Sequence, residues 1–119
     1  MSVLFLSADL VFSSRLAAAG QRLGINVSTV SSIDAAVERI QGNLIELVVC
    51  DLSAPGAEPQ ALVAGLRREQ ANLAIVAYAP HVHEKRLEAA TEAGCNEVLT
   101  RGQFDRQMDE ILTRYAGQP

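Results

Sequence analysis

Five short apolar runs alternate strictly with five stretches whose apolar residues recur at helical spacing, and a layered α/β domain is what accommodates such a pattern. Residues 3–8 form the first run. Over residues 11–23, Leu16, Ala19 and Leu23 recur along one helical face, and Gly24 is a natural stop. Residues 25–30 alternate in polarity, which predicts a less buried strand near a sheet edge. Ser31 or Ser32 caps the next helix, which carries Ile33, Ala36, Val37 and Ile40 on one face and ends at Gly42. The third run covers residues 44–50, and Pro59 opens a helix bearing Leu62, Val63 and Leu66. A fourth run, residues 73–79, is stopped by Pro80, and a helix over 83–93 follows with Leu87, Ala90 and Thr91 inward and Gly94 as cap. Residues 95–100 form the fifth run. The last helix, 103–115, places Phe104, Met108, Ile111, Leu112 and Tyr115 in one stripe. Connections this short imply a parallel sheet covered by helices on both faces.

Composition narrows the function classes. Residues 1–119 suit a single domain with one ordinary core, with no room for an output domain. No apolar run reaches transmembrane length, and the first residues lack the basic region of a secretory signal, so a cytoplasmic protein is expected. A net charge of -4 argues against non-specific binding to nucleic acid or an anionic membrane. Aromatics are few, which disfavours stacking platforms for single strands. Cys50 and Cys95 make no CxxC pair and read as small core residues in a reducing compartment. Lys85 is the lone lysine, so any chemistry needing an ammonium has one candidate.

The stretch Leu47-Val48-Val49-Cys50-Asp51-Leu52-Ser53-Ala54-Pro55-Gly56 carries the strongest chemical signal. A buried strand ends in one carboxylate and a Pro-Gly turn follows. In open α/β sheets, chemistry sits beyond the carboxyl ends of the strands. Asp9 ends the first run in the same way. A flavodoxin-like strand order, 2-1-3-4-5, makes Asp9 and Asp51 neighbours. Competing motifs fall short. His81, His83 and Glu84 lie in a loop with no matching metal ligands elsewhere. Ser53 stands where a cobalamin motif needs a histidine and where a haloacid-dehalogenase site needs a second aspartate. Ser13 and Ser14 lie too far along the helix to form a flavin phosphate loop. No nucleophilic triad, Walker loop or dinucleotide fingerprint is present.

These residues resemble a response-regulator receiver domain from Val3 to about Tyr115. The run Asp51-Leu52-Ser53-Ala54-Pro55-Gly56 is similar to that family's D-L-x-M-P-G segment, and Glu92-Ala93-Gly94-Cys95 resembles its A-G-A turn. The resemblance implies that Asp51 is the phospho-acceptor and that Asp9, Asp51 and the Ser53 carbonyl hold Mg²⁺. It also implies that Arg101 stands at the family's lysine position. Departures are equally specific. Ala8 replaces the first residue of the acidic pair, Tyr78 or Ala79 replaces the small hydroxyl ending the fourth strand, and Val98 replaces the switch aromatic. The pattern is that of an atypical or pseudo-receiver with a weakened Mg²⁺ site. Partners implied by the resemblance are a histidine kinase or a downstream effector, with homodimerisation through the fourth and fifth helices.

Phosphoryl transfer to a carboxylate needs an in-line nucleophile and positive charge on the phosphoryl oxygens. Asp51 supplies the nucleophile. Asp9 and Asp51 repel each other unless a cation intervenes, and the permanently charged guanidinium of Arg101 is expected to grip Asp51 bidentately. Two readings of the cluster follow: an acceptor that still reacts, or a self-neutralised polar cluster without turnover. At the level of function the first reading is a signalling module working by protein contact rather than an enzyme. The alternative is a flavodoxin-like domain that binds a small ligand or cofactor.

Overall fold

A computed structural model describes residues 2–117. The elements alternate without exception: β1 (Ser2–Leu6), α1 (Leu10–Leu23), β2 (Asn26–Val30), α2 (Ile33–Gly42), β3 (Leu47–Asp51), α3 (Pro59–Glu69), β4 (Ala74–Ala79), α4 (Glu84–Ala93), β5 (Glu97–Thr100) and α5 (Arg101–Ala116). All strand pairs are parallel, in the order β2-β1-β3-β4-β5. The expected 2-1-3-4-5 order is therefore present. Its cause is local: the inner strands are apolar on both sides and each helix on one, so every strand-to-helix connection must lay its helix back on the sheet.

Alternation along the strands sorts the side chains into two layers. Leu4, Leu6, Val48, Cys50, Ile75, Ala77 and Ala79 pack beneath α2, α3 and α4. Val3, Phe5, Leu47, Val49, Val76 and Tyr78 pack beneath α1 and α5. β3 is buried at every position, as its central place demands, whereas β2 is an exposed edge. α1 lies so close to β2 that a Cβ on Gly20 would stand 2.6 Å from Val27 Cγ2 and 2.7 Å from the Ile25 carbonyl oxygen.

Several boundaries differ from the sequence expectation, each for a visible reason. α5 begins at Arg101 rather than Gln103, because Thr100 caps it and Gln103 returns the bond to the Thr100 N–H as a capping box. Ser32, not Ser31, caps α2. β3 starts at Leu47: Leu44 is exposed, and Ile45 exchanges backbone bonds with the Gln70 side chain instead of a neighbouring strand. On α4, Ala90 carries the buried contact and Thr91 faces solvent, its hydroxyl turned back to the Leu87 carbonyl. Cys95 is half-buried rather than core, while Cys50 is buried as expected. At the amino ends of the strands, the Arg67 guanidinium reaches the Gly94 carbonyl and Asn96 Oδ1, fastening α3 to the start of β5.

Candidate functional site

The polar cluster forms where β1 and β3, the central pair of the sheet, end side by side. Asp51 is the last residue of β3 and is 7% exposed. Its two oxygens are both engaged. Oδ2 accepts from Ser7 Oγ at 2.9 Å, and Oδ1 accepts from the Ser53 N–H at 2.9 Å. The second contact is an Asx turn, which starts the loop that Gly56 closes with a φ of 77°. From the far side, the Arg86 guanidinium of α4 donates to the Leu52 carbonyl and ties this loop down.

Ser7 is the residue that sequence reasoning missed. It follows β1 and is 2% exposed. Its hydroxyl gives its one proton to Asp51 and accepts the Asp9 N–H at 2.9 Å, so it bridges the two acidic positions. At the end of an apolar run a serine reads as a strand residue of no consequence. Its position just past β1 and two residues before Asp9 was a signal that the apolar pattern did not register.

Asp9 serves a different purpose from the one expected of a metal ligand. It is the N-cap of α1, with Oδ1 accepting from the Val11 N–H at 2.9 Å and the Phe12 N–H at 3.1 Å. Oδ2 takes the Arg101 guanidinium at 2.6 Å. The Phe12 N–H, followed by the Arg101 charge and the Val11 N–H, holds this carboxyl below the usual carboxylate range, against the opposing effect of burial.

Arg101 thus departs from the expected grip on Asp51. It opens α5 directly after β5, and its guanidinium lies over the Phe12 ring, 4.4 Å from the centroid. From there it meets the partly buried Asp9 carboxylate, while the Asp51 oxygens accept from Ser7 and Ser53. The bidentate contact between Arg101 and Asp51 does not form.

The degenerate positions fall into place by layer. Tyr78 is registered with Asp51 across β3 and β4, yet it faces α1 and α5. There it stacks on Phe104 at 4.5 Å between centroids, with Phe5 and Phe12 beside it. Its buried hydroxyl makes no hydrogen bond among the described residues. Ser7 is close enough to favour the phenolate, but burial and the Asp51 charge outweigh it and push the phenol far above its ordinary range. Ala79 and Val98 share the other layer, beneath α4. Tyr78 thus stands beside the acceptor, while Ala79 shares its layer with Val98. Ala8 is exposed and offers no oxygen.

The receiver resemblance calls for Mg²⁺ on Asp9, Asp51 and the Ser53 carbonyl. Each of the four carboxylate oxygens already accepts a protein donor. Among the described residues, no group of three or more His, Cys, Asp or Glu side chains is placed to hold a metal ion. Each oxygen keeps a second lone pair, so Asp9, Asp51 and the Ser53 carbonyl would still offer ligands to a divalent cation, which would have to compete with the Arg101 charge on Asp9.

Comparison with known proteins agrees with the geometry. Residues 8–113 match the model of the response regulator receiver domain. Over 100 residues the chain is 26% identical to the sensor protein GacS of Pseudomonas syringae pv. syringae, covering 80% of this chain and 11% of that protein. The chain thus spans about a tenth of that relative. Among solved structures it is similar to a putative response regulator from Chloroflexus aurantiacus J-10-fl, with a TM-score of 0.82, 20% identity and 98% of both chains covered. It is also similar to the receiver domain of the sensor histidine kinase PA1611 from Pseudomonas aeruginosa PAO1, solved with a magnesium ion coordinated in its active site cleft. That similarity has a TM-score of 0.81, 19% identity and 98% of both chains covered. Given a family match from Ala8 to Thr113 and an aspartate closing the central strand of a 2-1-3-4-5 sheet, the chain belongs to the response regulator receiver domain family of two-component signalling.

Proposed function

We propose that this receiver domain signals through protein–protein contacts while Asp51 is held in a neutralised cluster that disfavours phosphoryl transfer. The observation that carries this reading is the engagement of both Asp51 oxygens, by Ser7 and by the Ser53 N–H. Each such hydrogen bond draws charge from the carboxylate and weakens it as a nucleophile, and bonds to an ionised acceptor are among the stronger ones. Asp9 is committed to the α1 cap and to Arg101, so little is left to gather positive charge around an incoming phosphoryl group. Mg²⁺ binding is weak for the same reason. The domain is one of 1–119, and its contacts are with a histidine kinase or a downstream effector. The face of α4, β5 and α5 suits such contacts and self-association. It carries an open groove of about 360 Å³ lined by Leu87, Thr91, Val98, Leu99 and Gln103 among others.

Incubation with acetyl phosphate and Mg²⁺, read by intact mass, tests the reading. Wild type is expected to show no phosphate adduct. An adduct that forms readily and disappears in Asp51→Asn would overturn it and establish Asp51 as a working phospho-acceptor.

A further inference from the structure

We infer that the Arg101 guanidinium is this domain's own counter-cation: it occupies Asp9 in place of a divalent ion and bars the carboxylate pair from metal. The inference deepens the proposed reading of the pocket and rests on it.

The geometry supports it at three points. Arg101 donates to Asp9 Oδ2 at 2.6 Å, and its far side is seated over Phe12 at 4.4 Å, so the guanidinium is held from two directions. It is the first residue of a 16-residue helix whose start is fixed by the Thr100–Gln103 capping box, so its backbone is anchored as well. Asp9 is itself turned toward the first turn of α1 by two N–H donors, which leaves Oδ2 as its remaining face. That face is the one Arg101 fills.

The charges give the same answer. Asp9 and Asp51 carry two negative charges, linked through the neutral Ser7 hydroxyl. A divalent cation entering beside them meets a fixed positive charge on the Asp9 side, and Ala8 supplies no third carboxylate to offset that repulsion. A lysine at the same position would be a compact charge on a flexible stem, free to turn toward other partners. Arginine is flat, permanently charged and stacked on an aromatic ring, so although half-exposed it gives up two contacts on leaving Asp9. Displacing it requires the loss of both the ion pair and the contact with Phe12.

Mn²⁺ titration followed by electron paramagnetic resonance tests this directly, since the free-ion signal falls as metal binds. Wild type, Arg101→Gln and Arg101→Met are compared. Methionine is a good helix former and keeps apolar cover over Phe12. Wild type is expected to leave Mn²⁺ free through millimolar concentrations. Both variants are expected to bind on the order of tenfold more tightly, as removal of one unit charge a few ångströms away implies. Their binding should be saturable, displaced by Mg²⁺ and abolished by adding Asp51→Asn. Circular dichroism identifies a variant that has lost its fold, and the other then decides. Saturable submillimolar binding by wild type would overturn the inference whatever the variants do. So would a folded variant that gains no affinity, because the pocket would then lack metal for want of a ligand alone. The titration uses neither phosphate nor a partner, so its failure leaves the reading of the domain's contacts standing.

Discussion

Asp9 shows how one side chain can be claimed by the frame before the chemistry reaches it. Its ionised form accepts two α1 N–H groups and faces Arg101, so folding lowers its pKa below the usual value of 3.8. A carboxyl with a depressed folded-state pKa stabilises the fold fully above its unfolded value. That contribution is lost as pH falls through the lower, folded value. Wild type should therefore lose stability as pH drops below about 4, and Asp9→Asn, which keeps a capping oxygen but no charge, should show a flatter dependence there. Urea midpoints across that range check this, and parallel curves would remove Asp9 from the acid response. Asp9 and Asp51 stood out in the sequence as carboxylates at strand ends, whereas Arg101 stood out only through the resemblance to receiver domains. Arg101's choice of partner was not legible, since a long side chain at a helix start reaches either carboxylate and only the Ser7 hydrogen bond to Asp51 decides. Ser7 itself left no trace in a pattern of apolar runs, because a single buried hydroxyl does not disturb that pattern.

At the level of elements, alternation was easy to read and closeness was not. Strand and helix periodicities identified every element, and most errors fell at ends, where caps such as Thr100–Gln103 and side-chain pairings such as Gln70–Ile45 decide; the facing of Thr91 and the burial of Cys95 were the exceptions. Gly20 was invisible, because a glycine inside a helical pattern reads as a weak helix residue. Its role is the approach of α1 to the β2 edge. Alanine is better than glycine in a helix interior by about 1 kcal/mol, so the naive expectation for Gly20→Ala is a gain. The Ile25 carbonyl oxygen cannot yield as a side-chain tip can, and overpacking costs about 1–3 kcal/mol. The net expectation is a loss of roughly 1 kcal/mol in urea denaturation. A gain would mean that α1 slides away from β2 without cost.

Across the whole molecule, the sheet separates two neighbourhoods. The aromatic stack of Tyr78, Phe104, Phe12 and Phe5 lies with α1 and α5. Ala79 and Val98 lie in the layer beneath α4. Tyr78 and Ala79 stood as alternatives for one position in the sequence, and the Asp51–Tyr78 register puts Tyr78 beside the acceptor. Ala79 and Val98 have neither a hydroxyl nor a ring to exchange, so on the proposed reading a change of charge at Asp51 is not relayed through them to the outer face of α4 and β5. Asp51→Asn should shift amide resonances near Ser7 and Ser53 while leaving those of α4 and β5 unmoved, and widespread shifts along α4 would refute this.

The aliphatic pair Ala79 and Val98 then has a thermodynamic corollary. Coupling between two sites is reciprocal: what the acceptor end cannot do to a partner's affinity, a bound partner cannot do to the acceptor end. With one surface shape on offer, occupancy follows mass action alone, set by the amounts of domain and partner. On the proposed reading, then, making or degrading the domain would do the task that adding or removing a phosphoryl group performs elsewhere.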